Sequence, residues 1–229
     1  MVTGGPAVRP VVDSCIIKSS GDDGMVVAGR ARPTVRDCDI FGRKNGLRLM
    51  GEARGEWIDC KLNVSHQAGV KAADRSRPTL RGCHVQGNLE EGVVAMDEAT
   101  VELVGCHVRD NKGPGLDVSG RAAALLRGCW VRGNCGGAFV WDAGRLQLRS
   151  TRLGGGTALA LLADRPEAAI TADDCVIEGG VHAAAGTWAA LRAAGAGNRL
   201  VAEADAASGQ LPPEEGPFVF VPDRFRRKQ

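Results

Sequence analysis

Seven of the eight cysteines share one spacing. Cys15, Cys38, Cys60, Cys83, Cys106 and Cys129 stand 22 or 23 residues apart, Thr151 holds the next place and Cys175 the one after. Zinc binding would want close pairs of the C-x2-C kind, whereas Cys129 and Cys135 are six apart and only Cys135 lies off the series. Disulfides between repeats are geometrically open but need an oxidising compartment. The opening MVTGGPAVRPVV lacks the basic stretch and long apolar run of a secretion signal. Buried free thiols are therefore the expectation, because cysteine is small, apolar and at ease in a tight inside corner.

Other residues could do chemistry in principle. His84 and His107 follow the same spacing and could share a metal ion or relay a proton, but no third ligand stands in register with them. Glycoside cleavage needs two carboxyl groups about 5 to 9.5 Å apart. Asp39 with Glu56, and Asp97 with Glu98, come nearest, and each pair reads more simply as solvated surface. No P-loop, nucleophile elbow or His-Glu-x-x-His motif occurs. The sequence thus predicts no catalytic residue, no metal site and no cofactor.

The elements behind this spacing are short strands. Gly24, Gly46, Gly69, Gly92, Gly115 and Gly137 keep step with the cysteines, and each opens an apolar stretch such as GLRL, GVVA or GAFV. A polar turn residue recurs five places after the cysteine, as Asn88, Asn111 and Asn134, with Ser20 and Ser65 in earlier copies. The apolar stretches alternate with period two and are too short for helices, which predicts strands of about three residues separated by turns, some marked by Ala or Arg-Pro. Three such strands and three turns in 22 or 23 residues make one coil of a parallel β-helix. No hexapeptide period is present, so the right-handed form is expected. Stacked at about 4.8 Å, equivalent residues form ladders: the cysteines, the aliphatic series Ile17, Ile40, Leu62, Val85, Val108, Val131, Leu153 and Ile177, and an amide ladder where asparagine tolerates the left-handed conformation.

The expected architecture is all-β and single-domain: an N-terminal extension over 1–8, a parallel β-helix of eight or nine coils over 9–204, and a Pro-rich, basic tail over 205–229. A ninth coil would use WAALRAAGAGNRLVAEA, with Ala193 and Asn198 in the Cys and Asn places. Eight residues are too few for a capping helix, so another protein is expected to cover the N-terminal end unless residues 1–8 themselves fold across the opening.

The 229 residues suffice for one sizeable core. Their net charge of +2 argues against nucleic acid as the main partner, and no apolar window is long enough to insert in a membrane. Arginine outnumbers lysine because of coding bias on this reading, and the Asn63–Ser65 sequon is taken as chance. A cytoplasmic location is expected.

The unit RPTLRGCHVQGNLEEGVVAMDEA resembles the repeats of carbohydrate-binding and sugar-hydrolase (CASH) β-helices. The most similar version has the roughly 23-residue Cys- or Asn-ladder repeats of certain F-box proteins and of the Shc-binding spindle-associated family. The resemblance spans about 180 residues and implies fold rather than activity. It also implies that any chemistry would sit on an outward face, as clustered carboxylates, with calcium and a basic residue in the lyases. The outward place after each cysteine reads Ile16, Asp39, Lys61, His84, His107, Trp130, Arg152, Val176. That of the Gly strand reads Val26, Arg48, Lys71, Val94, Asp117, Phe139 and then Leu161. Neither stacks two acids beside a base. Trp130, Phe139, Trp141, Met96 and Val94 form instead an apolar outer set suited to a protein interface or a sugar platform, unless the FVFV at 218–221 folds back over them. The leading expectation is a non-enzymatic scaffold subunit of a larger assembly, for which the family analogy suggests the cytoskeleton or cilium. A carbohydrate-binding or polysaccharide-degrading β-helix is the rival.

Overall fold

The computed structural model describes residues 8–156, 159–183 and 198–201. Among these residues all regular structure is strand, and every strand pairing is parallel. The strands build three sheets that enclose one core. The first sheet stacks Val11–Asp13, Thr34–Arg36, Arg54–Ile58, Arg77–Arg81, Thr100–Val104, Ala123–Arg127, Arg145–Arg149 and Ala169–Asp173. The second runs from Ile16–Ser19 to Val176–Glu178 and adds Arg199–Val201; the third runs from Met25–Val27 to Val181–Ala183. Each coil takes one strand from each sheet in turn, so the described residues form eight rungs of a β-solenoid.

Alternation along each strand makes the core. In Thr100–Val104 the side chains of Val101 and Leu103 are fully buried while Thr100, Glu102 and Val104 face out. The inward rows join into one cluster from Met25 to Ala183. Cys38, Cys60, Cys83, Cys106, Cys129 and Cys175 lie in it, all as free thiols, and Cys15 in the first coil is exposed. Each of these sulfurs caps a carbonyl two residues back, as Cys83 does to Arg81 at 3.4 Å, and Cys38 through Cys129 also reach a carbonyl of the coil before, as Cys83 does to Trp57 at 3.2 Å. Thr151 serves the same slot: its hydroxyl donates to the Arg149 carbonyl at 2.8 Å and accepts from the Cys129 N–H at 3.3 Å. The slot therefore favours a side chain that can donate to the carbonyls around it.

The amide ladder stands at the corner between the second and third sheets. Asn88 Nδ2 donates to Asn111 Oδ1 and Asn111 Nδ2 to Asn134 Oδ1, both at 2.8 Å, while backbone N–H groups of Ser65, Asn88 and Asn111 donate to the next amide oxygen. This packing explains the glycine column. A Cβ on Gly92 would lie 2.5 Å from Val108 Cγ1 and 2.9 Å from Asn111 Nδ2.

Several expectations need correction. Positive φ at the amide corner belongs to the preceding residue, at Val64, Gly87, Asp110 and Gly133, because the asparagines turn inward to make their ladder. First-sheet strands reach five residues, and Arg77-Pro78 is strand rather than turn. Leu162, not Leu161, pairs with Phe139 and faces out; Leu161 belongs to the core. Asn198 occupies the cysteine place, where its Oδ1 accepts from the Cys175 N–H at 3.0 Å and its Nδ2 donates to the Ala172 carbonyl at 2.8 Å. Ala193, the 205–229 tail and residues 1–7 of the N-terminal extension lie outside the described residues.

Candidate functional site

The outer face of the first sheet carries three rows of side chains. One row begins with four arginines on successive coils: Arg9, Arg32, Arg54 and Arg77. Arg54 and Arg77 are direct register partners. The Arg32 N–H donates to the Val8 carbonyl at 2.8 Å and the Arg54 N–H to the Ala31 carbonyl at 2.9 Å, which puts Arg32 and Arg9 in the same stack. The row beside it reads Thr34, Glu56, Thr79 and Glu102. Together Arg9, Arg32, Arg54, Arg77, Pro33, Thr34, Gly55, Glu56 and Thr79 line an open trough of about 460 Å³.

The charges in this trough are unbalanced. Glu56 pairs sideways with Arg81 at 3.3 Å, and among the described residues none of the four stacked arginines has a carboxylate partner. One corner away the same solenoid manages charge differently. Arg30, Glu52, Arg75, Glu98 and Arg121 alternate in sign up five coils, their backbone N–H groups at Glu52, Arg75, Glu98 and Arg121 each bonded to the coil below, and Arg30 bridges Glu52 at 3.3 Å. Two like charges about 5 Å apart repel by about 0.8 kcal/mol even at the dielectric constant of water. A row of four arginines without a carboxylate partner among the described residues is a place where an anion would be attracted. Thr34 and Thr79 add hydroxyl groups and Glu56 adds an acceptor along the same wall. Such a wall can hold an anionic, hydroxyl-rich ligand.

Gly55 shapes the floor. Its φ is +149, and a Cβ there would meet the Pro33 carbonyl at 2.7 Å and Trp57 Cη2 at 3.0 Å. The inward place that Pro33 and Pro78 fill in neighbouring coils is thus given over to the indole of Trp57, which is fully buried. The bulky core residue and the empty Cβ position are one packing solution.

The other two faces hold the residues singled out from sequence. On the second sheet Lys61, His84, His107, Trp130 and Arg152 stack in register. His84 and His107 have ring centroids 5.0 Å apart, and His107 stacks on Trp130 at 5.7 Å with planes 11° apart. The guanidinium groups of Arg132 and Arg152 lie 5.4 and 5.6 Å from the indole centroid, and Trp130 remains 43% exposed. Burial lowers the His84 pKa, and electrostatic repulsion from His107 and Arg109 acts in the same direction. Among the described residues no three His, Cys, Asp or Glu side chains group as metal ligands. Asp39 pairs with Lys61 at 3.7 Å on this face, on a different sheet from Glu56, so the two acids are not brought together as a pair.

On the third sheet Phe139 and Trp141 face outward, as their alternation requires, yet both are buried with Leu162 in a cluster of their own. Their rings meet edge to face at 6.1 Å, and the Trp141 indole N–H donates to Asp117 at 3.3 Å. Val94 is also buried and Met96 half-buried. Trp130 belongs to the second sheet, so the apolar set is divided between two faces. Whether residues 218–221 cover it lies outside the described residues.

The arginine row was missed from sequence although its signal is plain. Positions 9, 32, 54 and 77 step by 23, 22 and 23, as do the first four cysteines. Treating Arg-Pro as turn punctuation, which holds at Arg9-Pro10 and Arg32-Pro33 in that they lie outside the strands, hid a row whose later members Arg54 and Arg77 are strand residues.

The sequence matches the family model described as "Right handed beta helix region" over residues 4–153. The chain belongs to the right-handed β-helix family. That match also settles the hand of the solenoid. No curated protein is significantly similar to this β-helix in sequence. Two solved structures are similar in fold: pectate lyase Pel9A, at 10% identity and a TM-score of 0.56 over 76% of this chain, and the periplasmic alginate epimerase AlgG, at 12% and 0.54 over 85%. The β-helix spans 58% and 46% of those two chains, about half of each. At these identities the likeness is one of fold.

Proposed function

We propose that this β-helix is a carbohydrate-binding protein that holds an acidic polysaccharide in the trough of its first sheet. The observation that carries this reading is the uncompensated row Arg9–Arg32–Arg54–Arg77, set beside a neighbouring corner where charges alternate. Arginines whose backbone positions repeat at the strand spacing of about 4.8 Å suit a polymer that repeats its carboxylates or sulfates along an extended chain. The two fold neighbours are named for pectate and alginate, both acidic polysaccharides, which supports the same ligand class. The trough holds one carboxylate, Glu56, committed to Arg81. Binding without cleavage is the reading these side chains favour.

The test is titration of the protein with polygalacturonate, alginate and neutral dextran at low and high salt. Binding of the acidic polymers alone, weakened by salt and by Arg54→Ala with Arg77→Ala, supports the proposal. Equal retention on dextran, or indifference to the double variant, overturns it.

A second reading, a non-enzymatic scaffold subunit in a larger cytoplasmic assembly, keeps one specific observation. Val11 and Ile16 on the first coil are 68% and 77% exposed, and Trp130 is exposed as well. Exposed apolar side chains of this size suit contact with another protein. Kinship with the F-box and spindle-associated β-helices, and a cytoskeletal or ciliary setting, belong to this reading. Size-fractionation of native extract followed by crosslinking decides it: elution as a free monomer without crosslinks sinks it.

A further inference from the structure

The thiol column is closed to solvent along most of its length and open at one end. Cys38, Cys60, Cys83, Cys106, Cys129 and Cys175 are buried, whereas Cys15 in the first coil is exposed. Cys15 and Cys38 are neighbouring rungs: the residues that follow them, Ile16 and Asp39, are register partners. The Cys15 N–H donates to Cys38 Sγ at 3.4 Å, so the buried sulfur sits directly under the backbone of the exposed cysteine. In-register strands place their Cα atoms about 4.8 Å apart, inside the roughly 4.4–6.8 Å that a disulfide spans. Their Cβ atoms must close by a fraction of an ångström. The first coil is held by the described solenoid from one side only, its inward Val12 and Ile17 only half-buried, which leaves it free to yield. Interior pairs such as Cys60 and Cys83 have a coil on each side and no solvent path.

We propose that Cys15 and Cys38 are an oxidation site that staples the first coil to the second, and that the staple fixes Arg9 in the trough. With glutathione disulfide as oxidant, the Cys15 thiolate attacks one sulfur, the S–S bond breaks and one glutathione leaves. The Cys38 thiolate then attacks the Cys15 sulfur of that mixed disulfide and expels the second glutathione. Two thiols are oxidised to one disulfide, glutathione disulfide is reduced to two glutathiones, and the two cysteine protons pass to these leaving groups. Cys38 is the slower partner, because burial pushes its thiol pKa up and the thiol bonds the Arg36 carbonyl at 2.9 Å. Arg9 lies on the stapled coil, two residues before the strand Val11–Asp13. Its immobilisation preorganises one quarter of the arginine row.

The part of this inference that concerns Arg9 rests on the trough as ligand site; the bridge does not. The experiment treats the whole chain with glutathione disulfide, maps peptides by mass spectrometry, follows amide exchange of the first coil, and measures binding of polygalacturonate before and after. The expected result is a Cys15–Cys38 crosslinked peptide lighter by two hydrogens, slower exchange over the first coil, and tighter polymer binding, all absent in Cys15→Ser. A glutathione adduct left on Cys15, bridging at Cys135 instead, or no loss of thiols overturns the staple. A bridge that forms without changing affinity, while Arg54→Ala still abolishes binding, overturns its effect on the trough and leaves the trough standing. If Arg54→Ala leaves binding untouched, the trough reading and the Arg9 effect both fail, and the staple is judged by the bridge and the exchange alone.

Discussion

At the scale of single residues, the interior of the solenoid is decided by what fits one coil wide. Trp57 is the largest fully buried side chain, and it is accommodated because Gly55 leaves its Cβ position empty. Trp57→Ala is expected to cost about 3–5 kcal/mol, read from urea unfolding, since the neighbouring coils cannot collapse onto the space. The indole N–H has no acceptor among the described residues. Trp57→Phe keeps most of the volume and removes that orphaned donor, so the same measurement should show little loss or a gain of up to about 1 kcal/mol. The amide ladder behaves oppositely. Asn111 accepts from both the backbone N–H and the side-chain amide of Asn88, so Asn111→Ala strands two buried donors and is expected to cost about 2–3 kcal/mol. His84 adds a pH dependence. Its pKa in the folded chain lies below the unfolded value of 6.5, so the unfolded chain binds more protons and stability falls as pH drops below about 6.5. Melting curves from pH 8 to 5 should show this decline, and His84→Gln should flatten it.

At the scale of the element, the rows on each sheet explain what the sequence could and could not reveal. The cysteine, glycine and asparagine ladders were legible because each occupies an inward corner that admits few residue types, so identity repeats along with spacing. Outward rows admit almost any polar side chain, and there only the charge pattern carries meaning. Arg9, Arg32, Arg54 and Arg77 repeat in identity as strictly as the cysteines, yet Pro33 and Pro78 beside them suggested turns. The structure resolves this by placing Arg77-Pro78 at the start of a five-residue strand. The Phe139 and Trp141 pair shows the converse. Alternation gives the direction in which they point, while burial depends on what lies over the sheet, which the strand's own sequence does not encode. The row also makes a prediction of its own. Reversing Glu52 on the alternating corner with Glu52→Arg should lower stability by roughly 0.5 kcal/mol through like-charge contact with Arg30 and Arg75, and leave polymer binding unchanged. Arg54→Glu on the unbalanced row should do the reverse: stability held or slightly raised, and binding lost. Denaturation and titration of the two variants side by side check both.

At the scale of the whole molecule, every coil rests only on its neighbours, so stability is a sum of coil and interface contributions rather than the property of one central core. Amide exchange should be slowest across coils that contain Leu80, Leu103 and Leu126, and fastest over the first, where Val11 and Ile16 are exposed. A uniform exchange profile would contradict this. The same translational build has a consequence for how the trough could change. A binding row whose side chains recur once per 22 or 23 residues grows or shrinks only by whole coils, each adding about 4.8 Å and one further contact. Duplication of the segment from Arg54 to Ser76 would insert a fifth arginine between two existing ones while every inward ladder closed again on the next copy. Ligand reach in such a protein is a count rather than a shape, and tandem duplication within its gene is the natural means of setting it.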